Sequence, residues 1–166
     1  TVMVAKSGDR LMPDDAVAFF KEELLPLADV ITPNLPEASV LLGHNVRDMK
    51  DMYAAAQELW DMCGGKTAVY LKGGHSVEET LRDVFYDGKA FIDLDGPRVH
   101  TKNTHGTGCS LSSAIAALWA RTEDLPQAVG LARRYIEEAI TASDDLTVGN
   151  GHGPIHHFVR FESLFS

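Results

Sequence analysis

Residues 103–120, NTHGTGCSLSSAIAALWA, bring glycine, thiol and helix chemistry together. Gly106 and Gly108 mark a turn, Cys109 follows at once, and the next residues are strong helix formers. A glycine turn entering a helix exposes backbone N–H groups that have no partner inside the helix. Their partial positive charge suits an anion, often phosphate, and glycines let that backbone approach closely. The pattern is not a P-loop, because no Gly-Lys-Ser/Thr ending follows. A thiol at a helix start gives up its proton more readily than a free one. Cys109 could therefore take a proton from a substrate hydroxyl or attack as a nucleophile. The plainer reading is a helix capped by Thr107 or Ser110, with Cys109 as a small packed residue.

Two other loops carry suitable groups. In KGGH, Lys72 stands at a strand end before Gly73 and Gly74, where its ammonium can meet a phosphate. The alternative is an exposed lysine beside a turn. In TPNLPEA, Asn34 and Glu37 offer an amide and a carboxylate to Mg²⁺, which takes oxygen ligands and keeps several waters. The alternative is a proline-bounded turn with Glu37 in the first turn of a helix. His152, His156 and His157 invite a metal reading. The intervening Gly153 and Pro154 favour solvated loop histidines instead. Lys6 and Asp9 suit either a site or a surface turn.

The elements that must hold these groups follow from patterning. Residues 2–5 read as an apolar strand that opens the chain without a lead-in, as in a fragment. A helix is expected from Pro13 to residues 25–26, and a strand over 28–34 that stops at Thr32–Pro33. A short helix then has Pro36 near its start and Gly43 as its stop. Residues 48–62 place Met49, Met52, Tyr53, Ala56, Leu59 and Trp60 on one buried helical face, ended by Gly64 and Gly65. A third strand leads into KGGH. Residues 81–94 form a hairpin with Asp87–Gly88 as its two-residue turn. Another strand is expected over 98–101, helices to about Arg121 and over 125–143, and a final glycine-rich loop. Strands alternating with helices imply a parallel α/β domain whose ligands sit beyond the carboxyl ends of the strands.

Bulk properties narrow the function. The chain has 166 residues and a net charge of −9, which argues against a nucleic-acid footprint. No apolar run approaches membrane-spanning length. Two distant cysteines, Cys63 and Cys109, are no disulfide framework and point to a reducing cytoplasm.

Taken in order, VMVAKSGD, ADVITPNLPEASVLLG, VYLKGGH, NTHGTGCSLSSAIAA and GHGPIHHF resemble the hydroxymethylpyrimidine and phosphomethylpyrimidine kinases of thiamine biosynthesis. These are members of the ribokinase-like superfamily. The resemblance covers essentially the whole chain, and the Gly-Thr-Gly-Cys element is its most specific part. It implies a three-layer α/β/α fold with a mostly parallel sheet plus a β-hairpin. It implies ATP-dependent phosphorylation of a pyrimidine hydroxymethyl group and then of the monophosphate, with Mg²⁺. By motif, Cys109 corresponds to the catalytic base and Gly106, Thr107 and Gly108 to the anion hole with it. Lys72 and Thr104 correspond to nucleotide contacts, and Asn34 and Glu37 to the element linked to Mg²⁺ and its waters. A cytoplasmic homodimer acting on a small molecule is the implied setting.

The family reads Asp-Pro-Val-Met where this chain begins Thr1-Val2-Met3, and its members extend well upstream. Residues 1–166 thus read as the C-terminal nucleotide-binding and catalytic half of a kinase domain, lacking its N-terminal strands. The alternatives are a pyridoxal kinase of the same cysteine-bearing type, a non-catalytic phosphate-binding module, and a thiol enzyme using Cys109 as a covalent nucleophile.

Overall fold

The computed structural model describes residues 1–3, 11–74 and 80–161, with Thr80 described by its backbone. The expected strand over 2–5 and the residues Lys6, Asp9 and His75 fall wholly or partly outside these ranges. The chain divides into two compact units, Thr1–Gly96 and Pro97–Ser166.

In the first unit, Pro13 takes the cap position of α1 (Asp14–Phe19), with Asp14 and Asp15 in the first turn, where acidic side chains suit the helix dipole. The single helix expected to residues 25–26 does not continue as one. The backbone widens into a π-type stretch over Phe20–Leu24 and then tightens into a 3₁₀ turn over Leu25–Leu27. Pro26 lies in that last turn, and a proline cannot extend the α ladder.

Strand β1 is only Val30–Ile31, shorter than the expected 28–34. Pro33 has no N–H to give the ladder, so pairing lapses there. It resumes as an isolated parallel bridge between Asn34 and Lys72. Helix α2 (Leu35–Leu42) follows and ends at Gly43, whose φ of 76° is left-handed. Helix α3 (Met49–Met62) is capped by Asp48, whose side chain accepts from the amides of Lys50 and Asp51. Met52, Ala55, Ala56 and Leu59 are its buried face, and it packs on β2 and β3.

Strand β2 (Ala68–Leu71) is buried at every position, as a strand covered on both faces must be. It pairs in parallel with β1, Val30 opposite Ala68 and Ile31 opposite Val69. It pairs antiparallel with β3 (Thr80–Tyr86), and β4 (Phe91–Pro97) completes the order β1-β2-β3-β4. The sheet is therefore mixed. It is parallel where the chain crosses over through α2 and α3, and antiparallel at the hairpin.

The hairpin connection is longer than the expected Asp87–Gly88 pair. The Asp87 carboxylate accepts from the amides of Lys89 and Ala90, both at 2.9 Å, and so closes the connection over residues 87–90. Gly88 sits there at φ 84°, and a Cβ on it would lie 2.5 Å from the Trp60 ring. No strand forms over 98–101, because β4 stops at Pro97 and the Thr101 hydroxyl turns to accept from the Asn103 amide at 3.0 Å.

The second unit is built on α4 (Thr107–Thr122) and α5 (Leu125–Thr141), which pack on each other. Leu111 and Ile115 are buried on α4, and Ala128, Val129, Ala132, Ile136 and Ala139 on α5. Alanines at this spacing let two helices approach closely. Asp124 caps α5 by accepting from the Gln127 amide. A 3₁₀ turn over Ala142–Asp145 follows α5. Among the described residues, no helix is long and apolar enough to cross a membrane.

Candidate active site

The first unit gathers Asn34, Glu37 and Lys72. Asn34 is the N-cap of α2, and its side-chain oxygen accepts from the Glu37 amide at 2.8 Å. Glu37 Oε2 accepts in return from the Asn34 amide at 2.8 Å. This reciprocal capping box is one reason for Asn-x-x-Glu at a helix start. The structural alternative read from the sequence therefore holds, but it does not exhaust Glu37. That side chain is 6% exposed. Its Oε2 also accepts from the Thr1 hydroxyl at 3.2 Å and lies 3.9 Å from Lys72 Nζ. At that distance the lysine contributes charge more than a hydrogen bond. Lys72 is not the freely exposed side chain of the plainer reading; only 19% of it is accessible.

The backbone explains how Lys72 reaches this place. Its amide donates to Pro33 O at 2.8 Å, just past the end of β2. The next amide, Gly73 N–H, donates to Asp83 Oδ1 at 2.8 Å, while Tyr70 OH donates to Asp83 Oδ2 at 2.7 Å. A Cβ on Gly73 would lie 1.9 Å from the carbonyl oxygen of Arg82. Glycine is thus required by close approach rather than by an unusual φ. Asp83 went unnoticed in the sequence. An aspartate within a strand gives no signal that its carboxylate turns inward to hold a neighbouring loop.

The second unit presents the glycine turn. Gly106 is the N-cap of α4 with φ 85°, and no side chain caps this helix. The expectation that Thr107 or Ser110 would do so is corrected. Thr107 Oγ1 donates to Thr104 O at 2.7 Å, and Ser110 Oγ pairs with His157 Nε2 at 3.0 Å. The Ser110 amide donates to Gly106 O at 2.9 Å and closes the first turn. Among the described residues, the amides of Gly108 and Cys109 find no protein acceptor. Cys109 is a free, exposed cysteine, whereas Cys63 is buried. The packed-residue reading of Cys109 is thereby overturned, and burial pushes the Cys63 thiol pKa up.

Further contacts fix the loop ahead of the turn. Asn103, 3% exposed, donates from its side chain to Ser143 O at 2.7 Å and Leu146 O at 3.2 Å. His105 forms a parallel bridge with Pro154. Gly153 has no room for a Cβ, which would fall 2.1 Å from Asn103 Oδ1. The three C-terminal histidines differ from one another. His152 is exposed, His156 is 9% exposed rather than solvated, and His157 is drawn to α4. Among the described residues, no group of three or more His, Cys, Asp or Glu side chains could hold a metal ion. The Ser110–His157 pair spans 47 residues, a separation that no local pattern discloses.

The sequence matches the phosphomethylpyrimidine kinase family over residues 1–156. It is 47% identical to a hydroxymethylpyrimidine/phosphomethylpyrimidine kinase of Rhizobium meliloti, over 96% of this chain and 60% of that relative. In structure it is similar to an ADP complex of Bacillus subtilis pyridoxal kinase, with a TM-score of 0.83 and 33% identity, over 92% of this chain and 58% of that one. It is also similar to phosphomethylpyrimidine kinase from Clostridium difficile, with a TM-score of 0.70 and 34% identity, over 84% of this chain and 55% of that one. The chain thus spans somewhat over half the length of each of these three proteins. With a family match over residues 1–156, nearly its full length, the chain belongs to the phosphomethylpyrimidine kinase family.

Proposed function

We propose that this chain supplies the nucleotide-binding and catalytic part of an ATP-dependent kinase. Its substrates are 4-amino-5-hydroxymethyl-2-methylpyrimidine and the corresponding monophosphate. The observation that carries the reading is the start of α4, where the amides of Gly108 and Cys109, without an acceptor among the described residues, accompany an exposed thiol. Phosphoryl transfer asks for charge neutralisation, positioning and removal of one proton. The amides over 106–109 bind the oxygens of the transferring phosphoryl group. Lys72 meets phosphate charge, and Thr104 lies beside the turn as a nucleotide contact. The Cys109 sulfur accepts the proton of the substrate hydroxyl as that oxygen bonds to the γ-phosphorus of ATP and the bond from this phosphorus to the bridging oxygen breaks, releasing ADP.

Mg²⁺ fits this set in one manner only. Asn34 and Glu37 are hard oxygen donors, but both already serve the capping box, and Glu37 Oε2 also faces Lys72. The pair therefore suits an ion that arrives with the nucleotide and is reached through its own waters. When bound, Mg²⁺ supplies further charge neutralisation at the phosphates. Glu37 and Lys72 meanwhile hold each other in register, so that the ammonium is kept near the end of β2. A cytoplasmic homodimer is the setting proposed for this activity.

A pyridoxal kinase is the second reading, favoured by the similarity to the Bacillus subtilis enzyme. Both substrates present a hydroxymethyl group on a nitrogen heterocycle. The test is kcat/KM of the full-length protein for each substrate with Mg-ATP. The pyrimidine is expected to be preferred, and a clear preference for pyridoxal would overturn that choice. Calorimetric binding of Mg-ATP without turnover of either substrate would favour a binding module.

A further inference from the structure

His157 reaches the glycine turn through a series of contacts that begins on α5. Tyr135 OH donates to His157 O at 2.9 Å and fixes its backbone. Arg160 lies over the Tyr135 ring, 5.7 Å from the centroid. It donates to both carboxylate oxygens of Glu138 at 2.7 and 3.1 Å. On the other side, the Ile155 amide donates to His105 O at 3.2 Å, and the His105 amide to Gly153 O at 2.9 Å. The segment is thus tied to α5 and to the residue just before the turn. Held in this way, His157 brings Nε2 to 3.0 Å from Ser110 Oγ and to 3.5 Å from where a Cβ on Gly106 would sit. The same ring helps to wall a cavity of about 390 Å³ with Cys109, Ser110, Ser113, Ala114 and Tyr135.

A brace is needed here for a physical reason. Gly106 and Gly108 carry the largest backbone entropy, and helix ends fray. An anion hole works because its donors are already in place when charge develops. The cap residue of α4 offers no side chain to hold the turn. We propose that His157 is a positioning residue for phosphoryl transfer. Through Ser110 it holds the first turn of α4, keeping the amides of Gly108 and Cys109 and the Cys109 thiol in register. This rests on the reading of the start of α4 as the phosphoryl site.

The test uses His157→Phe, which keeps an aromatic ring, His157→Gln, which returns an amide nitrogen near Nε2, and Ser110→Ala. In the full-length protein, His157→Phe and Ser110→Ala are each expected to lower kcat about tenfold, as losing one positioning hydrogen bond would. KM for ATP should stay within about twofold, because the loss falls on the transition state. The double variant should be no slower than either single one, and His157→Gln should recover most of the rate. Additive losses, or His157→Gln as slow as His157→Phe, would overturn the proposal. Hydrogen exchange of the Ser110 amide reads the brace without any substrate. It should quicken in His157→Phe while α5 amides stay unchanged. Unchanged exchange overturns the brace, and faster exchange with unaltered turnover overturns its role in transfer. A wild type that transfers no phosphoryl group overturns the kinase reading instead, and exchange then decides the brace alone.

Discussion

The loop at the end of β2 and the turn at the start of α4 treat their polar groups in opposite ways. Around Lys72, nearly every group is spoken for. Glu37 meets a lysine, a hydroxyl and a backbone amide, and Asp83 holds a backbone amide and a phenol. Around Cys109, amides stand without partners among the described residues, and the thiol is exposed. Satisfied polar networks rigidify a structure, while unsatisfied donors at the surface await a ligand. The first region is thus built to be stiff, and the second suits the binding role proposed for it. Substitutions of the groups that only tie the first region together, Gly73 and Asp83, should therefore cost stability, and those in the second should cost turnover.

The largest effect that tests this contrast is Cys109→Ala in the full-length protein. Loss of a proton acceptor is expected to lower kcat by about 10²–10⁴-fold. Urea denaturation should move little, since exposed substitutions stay within about 0.5 kcal/mol. Near-normal turnover would remove Cys109 from the role of base. A marked loss of stability would break the contrast from the other side.

Next comes Gly73→Ala. Its Cβ would meet the Arg82 carbonyl oxygen at 1.9 Å, and backbone cannot swing away as a flexible side chain can. Unfolding free energy should fall by about 1–3 kcal/mol, the range for overpacked sites. A variant as stable as wild type would show the region to be looser than its contacts imply.

The smallest effect lies on the exposed side of the first unit. His44 Nε2 is 2.7 Å from Glu58 Oε2, and that hydrogen bond raises the His44 pKa above its ordinary value of 6.5. A raised folded pKa means that the contribution is full below the unfolded value and is lost as pH climbs through the folded one. Urea midpoints should therefore decline slightly from pH 6 to pH 8, and His44→Asn should flatten that part of the profile. An identical slope in the variant would assign the decline to other groups.

Local chemistry made much of this legible in the sequence. Asn34, Pro36, Glu37 and Gly43 announce a capped helix and its stop, and the α3 stripe announces its buried face. Gly106 to Cys109 signal a bare helix start because glycine and a thiol cap nothing. What stayed hidden depends on partners distant in the chain. The strand expected over 98–101 does not form, because β4 runs on to Pro97 and stops there. The Asp87 side chain, rather than a glycine pair, sets the hairpin connection. Asp83 and His157 look like ordinary polar residues until the fold brings Gly73 and Ser110 to them.

Trp60, wedged beneath Gly65 and Gly88 and edge-on to Tyr86 at 5.8 Å, gives the molecule an optical label. The chain has two tryptophans. Trp60 belongs to the first compact unit and Trp119, on α4, to the second. With Trp119→Phe, fluorescence follows the seating of the hairpin on α3; with Trp60→Phe, it follows the helix pair that carries the thiol. Comparing the two melting curves distinguishes concerted from stepwise loss of the two units.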